Sequence, residues 1–366
     1  MLRLSAGHAG LRTLALTATV AALSTLAVGT AAATPTTDCR TTSTGSLCRI
    51  FGQDRYETAI AASQDVWSAA EDTTAPADSV AKAVVLAGGT AFADAVSGVP
   101  LAYAERGPLL LTPATSLRAD VADEIARILP PKGTVYLLGG TGSLSDAVEK
   151  AVTDAGFTPK RLAGGDRYET SVKVAQELGA LSYVTLASGR TFPDALTAGN
   201  AMAFEDSTDP AAPTHGAVLL TQGTKVPDVV STFLSAHPDT KLLAAGGEAA
   251  TAAQNAKLTT QADFVGQDRY ETAALIADAF YGADTVADGP ATAGLASGEN
   301  FPDALAGGVH AAVYGAPLLL TPAAALDATT ADFLHHYGPS LTRVTVYGGT
   351  GSVSTDTAAA ARAAID

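Results

Sequence analysis

The chain has little charge, few aromatic residues and almost no cysteine. Only 16% of its 366 residues are charged and 47% are hydrophobic, which excludes an intrinsically disordered protein and indicates a well-buried globular one. Positive charge is especially scarce, because 22 Lys and Arg stand against 37 Asp and Glu for a formal net charge of −15. This balance argues against a basic nucleic-acid-binding surface and against general attraction to an anionic membrane.

A long apolar run occurs only near the amino terminus. Arg3 and Arg12 are followed by an apolar stretch from Leu14 to Val28 and by small residues at Ala31–Ala33. This order is typical of a secretory signal peptide, which we expect to span residues 1–33. A transmembrane anchor is the less favoured alternative, because the run is shorter than the roughly 20 residues that a spanning helix needs. We therefore expect a secreted mature chain with no membrane anchor and a charge of −17 (−15 − 2).

The chain contains two cysteines, Cys39 and Cys48. They lie in a predicted linker of residues 34–48, directly after the expected cleavage point. A close pair in an exported chain predicts a disulfide, here one that closes a short local loop. Two cysteines are too few for a metal site, and we predict neither a metal nor a cofactor.

One phrase, Asp-Arg-Tyr-Glu-Thr, occurs three times, starting at Asp54, Asp166 and Asp268. The spacings of 112 (166 − 54) and 102 (268 − 166) residues are too long for a solenoid and fit three small domains. The predicted repeats are residues 49–157, 158–262 and 263–366.

Further phrases recur in the same order in each repeat. Short apolar runs such as "PLLLTP" are bounded by Gly or Pro, as expected for strands buried on both faces. Segments of helical periodicity lie between them, for example over Asp120–Leu129. Strands that alternate with helices over so few residues predict a parallel sheet with helices on its faces, so each repeat should be a small three-layer α/β unit.

The repeated phrase has the pattern of a helix capping box, in which an aspartate is followed three residues later by a glutamate. We expect the aspartate to accept hydrogen bonds from free N–H groups of the first turn, and the glutamate to reach the N–H of the cap residue itself. The tyrosine fits as the first residue that faces the core. Capping therefore explains most of the phrase.

Capping does not explain the arginine, because a cation in the first helical turn opposes the helix dipole. One candidate partner is internal, namely the aspartate of a recurring Phe-x-Asp-Ala phrase at a neighbouring strand-to-helix turn. The other is an external phosphate or carboxylate, and both interactions could coexist. The candidate ligand-binding residues are Arg55, Tyr56, Arg167, Tyr168, Arg269, Tyr270, Asp94, Asp194 and Asp303.

The combination "RLAGGDRYET", "LASGRTFPDAL", "PLLLTP" and "GGTGSVS" resembles the cell wall-binding repeat 2 family, over roughly Arg49 to Asp366. The resemblance implies Toprim-like or Rossmann-like α/β units that pack as a pseudo-threefold trimer. It also implies a wall-associated protein that holds an anionic wall polymer, or a glycan linked to peptidoglycan, non-covalently. The first copy departs from the pattern with "AFADAV", and the second with "GGEAA" in place of the usual turn.

We find no nucleophile with a matching base, so the sequence predicts a secreted, cell wall-associated binding protein without catalysis. Two alternatives stay open at this point. One is a cell-wall hydrolase such as an amidase, or a modifier of one. The other is a self-assembling surface-layer protein, which the low charge density and acidity of the chain favour.

Overall fold

The computed structural model describes residues 36–42, 45–90, 92–204, 215–282, 286 and 289–366. The predicted signal peptide, residues 1–33, lies outside these ranges. Within them, no helix combines the length and the apolarity that crossing a bilayer requires.

Short apolar runs form the strands, as their buried side chains require. All six residues of Ala83–Gly88 and all four of Leu109–Thr112 are buried, because parallel strands covered by helices face apolar neighbours on both sides. The described strands are β1 (Thr36–Thr42), β2 (Gly45–Phe51), β3 (Ala83–Gly88), β4 (Leu109–Thr112), β5 (Thr134–Leu138), β6 (Thr158–Leu162), β7 (Leu181–Ser188), β8 (His215–Thr221), β9 (Lys241–Ala245), β10 (Ala262–Phe264), β11 (Thr292–Ser297), β12 (Leu318–Thr321) and β13 (Arg343–Tyr347).

Helices alternate with these strands along the chain. They are α1 (Arg55–Val66), α2 (Gly98–Ala104), α3 (Ala119–Ile128), α4 (Asp146–Asp154), α5 (Arg167–Leu178), α6 (Pro193–Phe204), α7 (Asp228–Ala236), α8 (Gly247–Asn255), α9 (Arg269–Tyr281), α10 (Pro302–Val313), α11 (Ala328–His336) and α12 (Thr355–Ala363). The predicted α/β class with three small parallel sheets is confirmed.

The three sheets are linked in a ring by exchanged strands. Their strand orders are β4-β3-β5-β6, β10-β9-β7-β8 and β1-β2-β13-β11-β12. The strand just before the repeated phrase pairs in each case with the preceding repeat: β6 with β5, β10 with β9, and β2 with β13, all in parallel. The strand that opens the first repeat thus completes the sheet of the third, and strand membership crosses the sequence boundaries that we assigned to the repeats.

Helices cover both faces of each sheet. In the third sheet, Val346 faces α12 while the adjacent Tyr347 contacts α10, since neighbouring residues of a strand point to opposite faces. The short-side-chain helices α2, α6 and α10 pack against one another at the centre. Gly199 and Gly308 allow the close approach there, because a Cβ atom on either would lie 3.3 or 3.5 Å from the Val99 side chain.

The predicted disulfide is present between Cys39 and Cys48. It joins residues that face each other directly in the antiparallel hairpin of β1 and β2. Through β2, the hairpin extends the sheet that closes the ring, so the disulfide lies next to the junction of the first and third repeats.

Candidate functional site

The repeated phrase lies where strands end and helices begin, at the carboxyl edge of the sheets. In the first repeat, Asp54 Oδ1 accepts hydrogen bonds from the N–H groups of Tyr56 and Glu57 at 2.9 and 3.0 Å. The same pair of contacts forms at Asp166 and Asp268. The aspartates are therefore the helix caps that the sequence pattern predicts.

The glutamate acts one residue earlier than expected. Glu57 Oε2 accepts from the N–H of Gln53, at 2.9 Å, rather than from the N–H of the cap residue itself. Glu169 and Glu271 contact the corresponding N–H groups of Gly165 and Gln267. The threonine that ends the phrase also has a local role, because Thr58 Oγ1 accepts from the N–H of Gly52 at 3.2 Å.

The tyrosine and the arginine both pack on a glycine at the end of a strand. A Cβ atom on Gly89 would lie 2.5 Å from the Tyr56 ring and 3.3 Å from Arg55 Cδ, so only glycine leaves room for both side chains. Arg55 Nη1 then donates to the carbonyl of Gly89 at 2.6 Å. Arg167 and Arg269 donate in the same way to the carbonyls of the equivalent glycines, at 2.6 and 2.5 Å.

Two of these arginines also contact the neighbouring repeat through its aromatic residues. The guanidinium of Arg167 lies 5.5 Å from the ring centre of Phe92, and that of Arg269 lies 6.0 Å from Phe192. Phe92, Phe192 and Phe301 meet one another with ring centres 5.9 to 6.0 Å apart. One phenylalanine from each repeat thus marks the pseudo-threefold axis, with the arginines arranged around it.

The internal ion pair considered from the sequence is not formed. Among the described residues, no carboxylate lies within 4.0 Å of the guanidinium groups of Arg55, Arg167 or Arg269. Only Nη1 of each donates a hydrogen bond to another described residue, which leaves Nε–H and Nη2–H₂ available. Arg55 and Arg269 are exposed and Arg167 is half-buried.

The aspartates of the Phe-x-Asp phrase lie against the glycine turns instead. A Cβ atom on Gly348, where φ is +97°, would be 2.3 Å from Asp303 Oδ2, so the carboxylate occupies the space that a side chain would need. Asp303 Oδ2 accepts from Ser352 Oγ at 2.7 Å, and Asp94 accepts likewise from Ser143.

Asp194 lacks such a hydroxyl partner, because Ala250 stands where the other two repeats have Ser143 and Ser352. Burial raises the pKa of Asp194 to about 6, a value that also includes the attraction of Arg269, which lowers it, and the negative charge of Glu248, which raises it. The second repeat therefore differs from the others in the electrostatics of this position, as its unusual turn sequence suggested.

A polar cleft of about 320 Å³ opens between the first and third repeats. The first repeat supplies the capping turn, including Arg55, and the third supplies Asp303 with its glycine turn. The lining residues are Gly52, Gln53, Asp54, Arg55, Thr58, Asn300, Pro302, Asp303, Gly349, Gly351 and Ser352. Two candidate residues far apart in the chain, Arg55 and Asp303, thus line one cleft.

The cleft has nearly balanced charge and many hydrogen-bonding groups. Arg118 forms an ion pair with Asp54 and lies 4.8 Å over the Tyr56 ring. Although burial raises it, hydrogen bonds from the Glu57 N–H and from Arg118 hold the pKa of Asp54 below its ordinary value. With Asp54 paired in this way, Arg55 and Asp303 leave the lining close to neutral.

A second polar cluster was not found from the sequence. His310, in α10, is buried and contacts Asp65 Oδ2 of α1 at 3.0 Å and the Tyr347 hydroxyl at 2.9 Å. Burial lowers the pKa of His310, while hydrogen bonding from His310 lowers that of Asp65. The residues do not recur between repeats, so only the apolar neighbourhood of His310 in the sequence could have indicated a buried position.

Comparison with known families matches this architecture. The family model described as Cell wall binding domain 2 (CWB2) matches residues 49–149, 161–255 and 264–358, one segment for each repeat.

Two curated proteins of Bacillus subtilis (strain 168) are similar in sequence. One is N-acetylmuramoyl-L-alanine amidase LytC, with 27% identity over 278 residues that cover 75% of this chain and 50% of that protein. The other is Amidase enhancer, with 31% identity over 181 residues that cover 49% of this chain and 22% of that protein. The matched part of the chain spans half or less of these relatives.

Two solved structures from Clostridium difficile share the fold. Cwp8 superimposes with a TM-score of 0.73 at 20% identity, over 87% of this chain and 51% of that one. Cwp6 superimposes with a TM-score of 0.72 at 21% identity, over 89% and 51%. At this level of identity, the likeness shows the fold alone.

Proposed function

The chain belongs to the Cell wall binding domain 2 (CWB2) family, and from this premise we propose that it is a secreted, non-catalytic protein that holds an anionic cell-wall polymer non-covalently. The observation that carries the proposal is the set of three arginines around the pseudo-threefold axis. Each uses one donor group to hold its own strand end and keeps the others uncommitted.

The chemistry of the cleft supports a glycan with acidic groups better than a simple anion. Two free donor positions of a guanidinium form a fork that matches a carboxylate or phosphate oxygen pair. The amides of Gln53 and Asn300, together with the Asp303 carboxylate, supply partners for sugar hydroxyls. An acidic protein can therefore bind an acidic polymer through local contacts, without long-range attraction.

Three repeats offer three such contacts on one scaffold. Once a polymer is held at one arginine, binding at the next becomes intramolecular, so weak individual contacts combine into strong retention. The differences at Asp194 and Glu248 suggest that the three contacts have unequal strength.

The proposal is tested by sedimentation of the protein with purified walls. The triple variant R55Q, R167Q and R269Q should lose at least tenfold in apparent affinity, measured per folded molecule. A matched variant replaces three exposed lysines at the opposite, amino-terminal edge of the sheets, Lys82, Lys132 and Lys257, by glutamine. It loses the same charge and should bind normally.

Equal binding by the arginine and lysine variants would show that the arginines only hold the fold together. Release of soluble muropeptides from walls by the pure protein would contradict the non-catalytic part of the proposal. Because the arginines also contact strand ends, the folded fraction of each variant is measured by near-ultraviolet circular dichroism.

A further inference from the structure

A second cleft lies on the outer face of the third sheet, between the β1–β2 hairpin and α12. Its volume is about 530 Å³. The lining combines apolar side chains with charged ones: Asp38, Arg40, Leu47, Arg49, Phe51, Gly52, Val346, Gly349, Thr350, Gly351, Thr355, Ala358 and Ala359. It borders the inter-repeat cleft, because Gly52, Gly349 and Gly351 line both.

Strand alternation brings two arginines to this face. Arg40 pairs with Leu47 across the hairpin, and Arg49 pairs with Asp38, so the arginines are diagonal neighbours about 7 Å apart at their Cβ atoms. The disulfide lies on the opposite face, since Cys39 and Cys48 occupy the alternate positions.

Neither arginine is neutralised by an ion pair. Among the described residues, no carboxylate lies within 4.0 Å of either guanidinium. Arg49 donates only to backbone carbonyls, to Gly348 at 2.8 Å and to Ser354 at 3.4 Å, while Arg40 is exposed. Burial lowers the pKa of Arg49, against the attraction of Asp38.

The first sheet shows how the same position is neutralised elsewhere. Arg161 occupies the place of Arg49 and donates to the carbonyl of Gly139 at 2.9 Å. There, however, Glu149 of α4 pairs with Arg161 at 2.8 Å. In α12 the residue that corresponds to Glu149 is Ala358, counted from the shared Gly-Gly-Thr-Gly turn. In the second sheet, Asp263 replaces the arginine altogether.

We propose that the Arg40–Arg49 cleft binds an anionic sugar, with its phosphate or carboxylate group between the two guanidiniums. The apolar side chains of Leu47, Phe51 and Ala358 would face the sugar ring, and the turn before α12 offers backbone N–H groups. Two guanidiniums at this spacing can hold one oxyanion from two sides. With Asp38 also in the lining, the two arginines still leave the cleft with a formal charge of +1 (2 − 1), and this positive balance in a strongly acidic chain favours an anionic ligand.

The site is separate from the arginines around the pseudo-threefold axis, and its test does not depend on their role. Isothermal titration calorimetry of the protein with glucose 6-phosphate, glucuronate and glucose distinguishes a phosphate from a carboxylate preference. We expect saturable binding of at least one acidic sugar and at least tenfold weaker binding of glucose. Equal binding of glucose and both acids, or no saturable binding of either acid, would overturn the proposal.

The variant A358E introduces the carboxylate that neutralises Arg161 in the first sheet. It should lose at least tenfold in affinity for the acidic sugar, measured per folded molecule because Ala358 is only 3% exposed. R40Q changes an exposed residue and should lose affinity for the acidic sugar by a similar factor. It provides the test if A358E does not fold.

R161Q is the matched control and should bind like the parent, because its guanidinium already has a partner. The triple variant R55Q, R167Q and R269Q should also keep this binding. The proposal would be contradicted if R40Q bound the acidic sugar as tightly as the parent. It would also be contradicted if the triple variant lost binding while R40Q kept it, because the anion would then lie outside the Arg40–Arg49 cleft.

Discussion

Replacing Asp194 by asparagine should stabilise the protein at neutral pH. The pKa of Asp194 rises from an ordinary 3.8 to about 6, mainly because the carboxylate is buried. Each unit corresponds to about 1.4 kcal/mol, so the charged carboxylate costs about 3 kcal/mol of unfolding free energy once the pH exceeds 6. The folded chain binds the proton more tightly than the unfolded chain between pH 3.8 and 6, so this cost appears as the pH rises through that window.

The assay is urea-induced unfolding of the parent and of D194N at pH 4, 5, 6 and 7.5. The difference in unfolding free energy should be close to zero at pH 4 and should grow to about 3 kcal/mol in favour of the variant at pH 7.5. D303N is the matched control, because Ser352 donates a hydrogen bond to the Asp303 carboxylate at 2.7 Å, so removal of this charge should bring no gain in stability at pH 7.5. If D194N is no more stable than the parent at pH 7.5, the burial of an unsupported charge is not the dominant effect at this position.

Three further predictions concern buried and strained positions. Because burial lowers the pKa of His310, the parent should lose stability as the pH falls below about 6.5. In thermal melts between pH 7.5 and 5, the melting temperature of H310Q should fall less with pH than that of the parent. An equal fall would contradict the role of His310 in this pH dependence. Replacing Cys39 and Cys48 by serine should lower the free energy of unfolding by about 2–3 kcal/mol, as estimated from a sequence separation of 9 residues. The backbone amides of β2 and β13 should then exchange hydrogen faster. Protection equal to the parent's would mean that the disulfide does not stabilise the pairing of these two strands. G348A should lower the free energy of unfolding by more than about 2 kcal/mol, because the φ of Gly348 is +97° and a Cβ atom there would lie 2.3 Å from a carboxylate oxygen. G349A should leave the unfolding free energy in urea nearly unchanged, because the space around Gly349 is open.

The capping function of the repeated phrase could be predicted because it is local. Asp54 and Glu57 act within one turn of helix, where sequence spacing fixes the geometry. Even so, the glutamate reaches Gln53 rather than Asp54, since the extended backbone of the cap residue places the preceding N–H within range. The spacing of residues in the sequence alone does not decide which of two adjacent N–H groups the glutamate contacts.

The partners of the arginines could not be predicted, because they depend on how distant turns meet. The sequence offered Asp94, Asp194 and Asp303 as carboxylate partners, and the structure instead joins each arginine to a strand-end glycine carbonyl. The signal was present in the recurring glycine of "LAGG" and "LASG" and in the phenylalanine of the Phe-x-Asp phrase. Their roles become visible only when the ring of repeats is assembled.

Strand exchange between repeats was equally hidden. Thr158–Leu162 precedes the helix of the second repeat in the chain but pairs with β5 of the first. Hydrophobic periodicity in the sequence predicts a strand, but it does not predict which of several similar sheet edges the strand pairs with. The closure of the ring by β2 and β13 follows the same rule, and it explains why the first and last repeats share both a cleft and a buried histidine cluster.

The proposed role of the arginines can be tested by measuring how the protein binds to walls before and after their anionic polymers are stripped, with the extracted polymer added back as a competitor. We expect sedimentation with intact walls, at least tenfold weaker binding to stripped walls, and competition by the free polymer that the R55Q, R167Q and R269Q variant does not show. Undiminished binding to stripped walls would mean that the arginines around the pseudo-threefold axis hold something other than an acidic polymer.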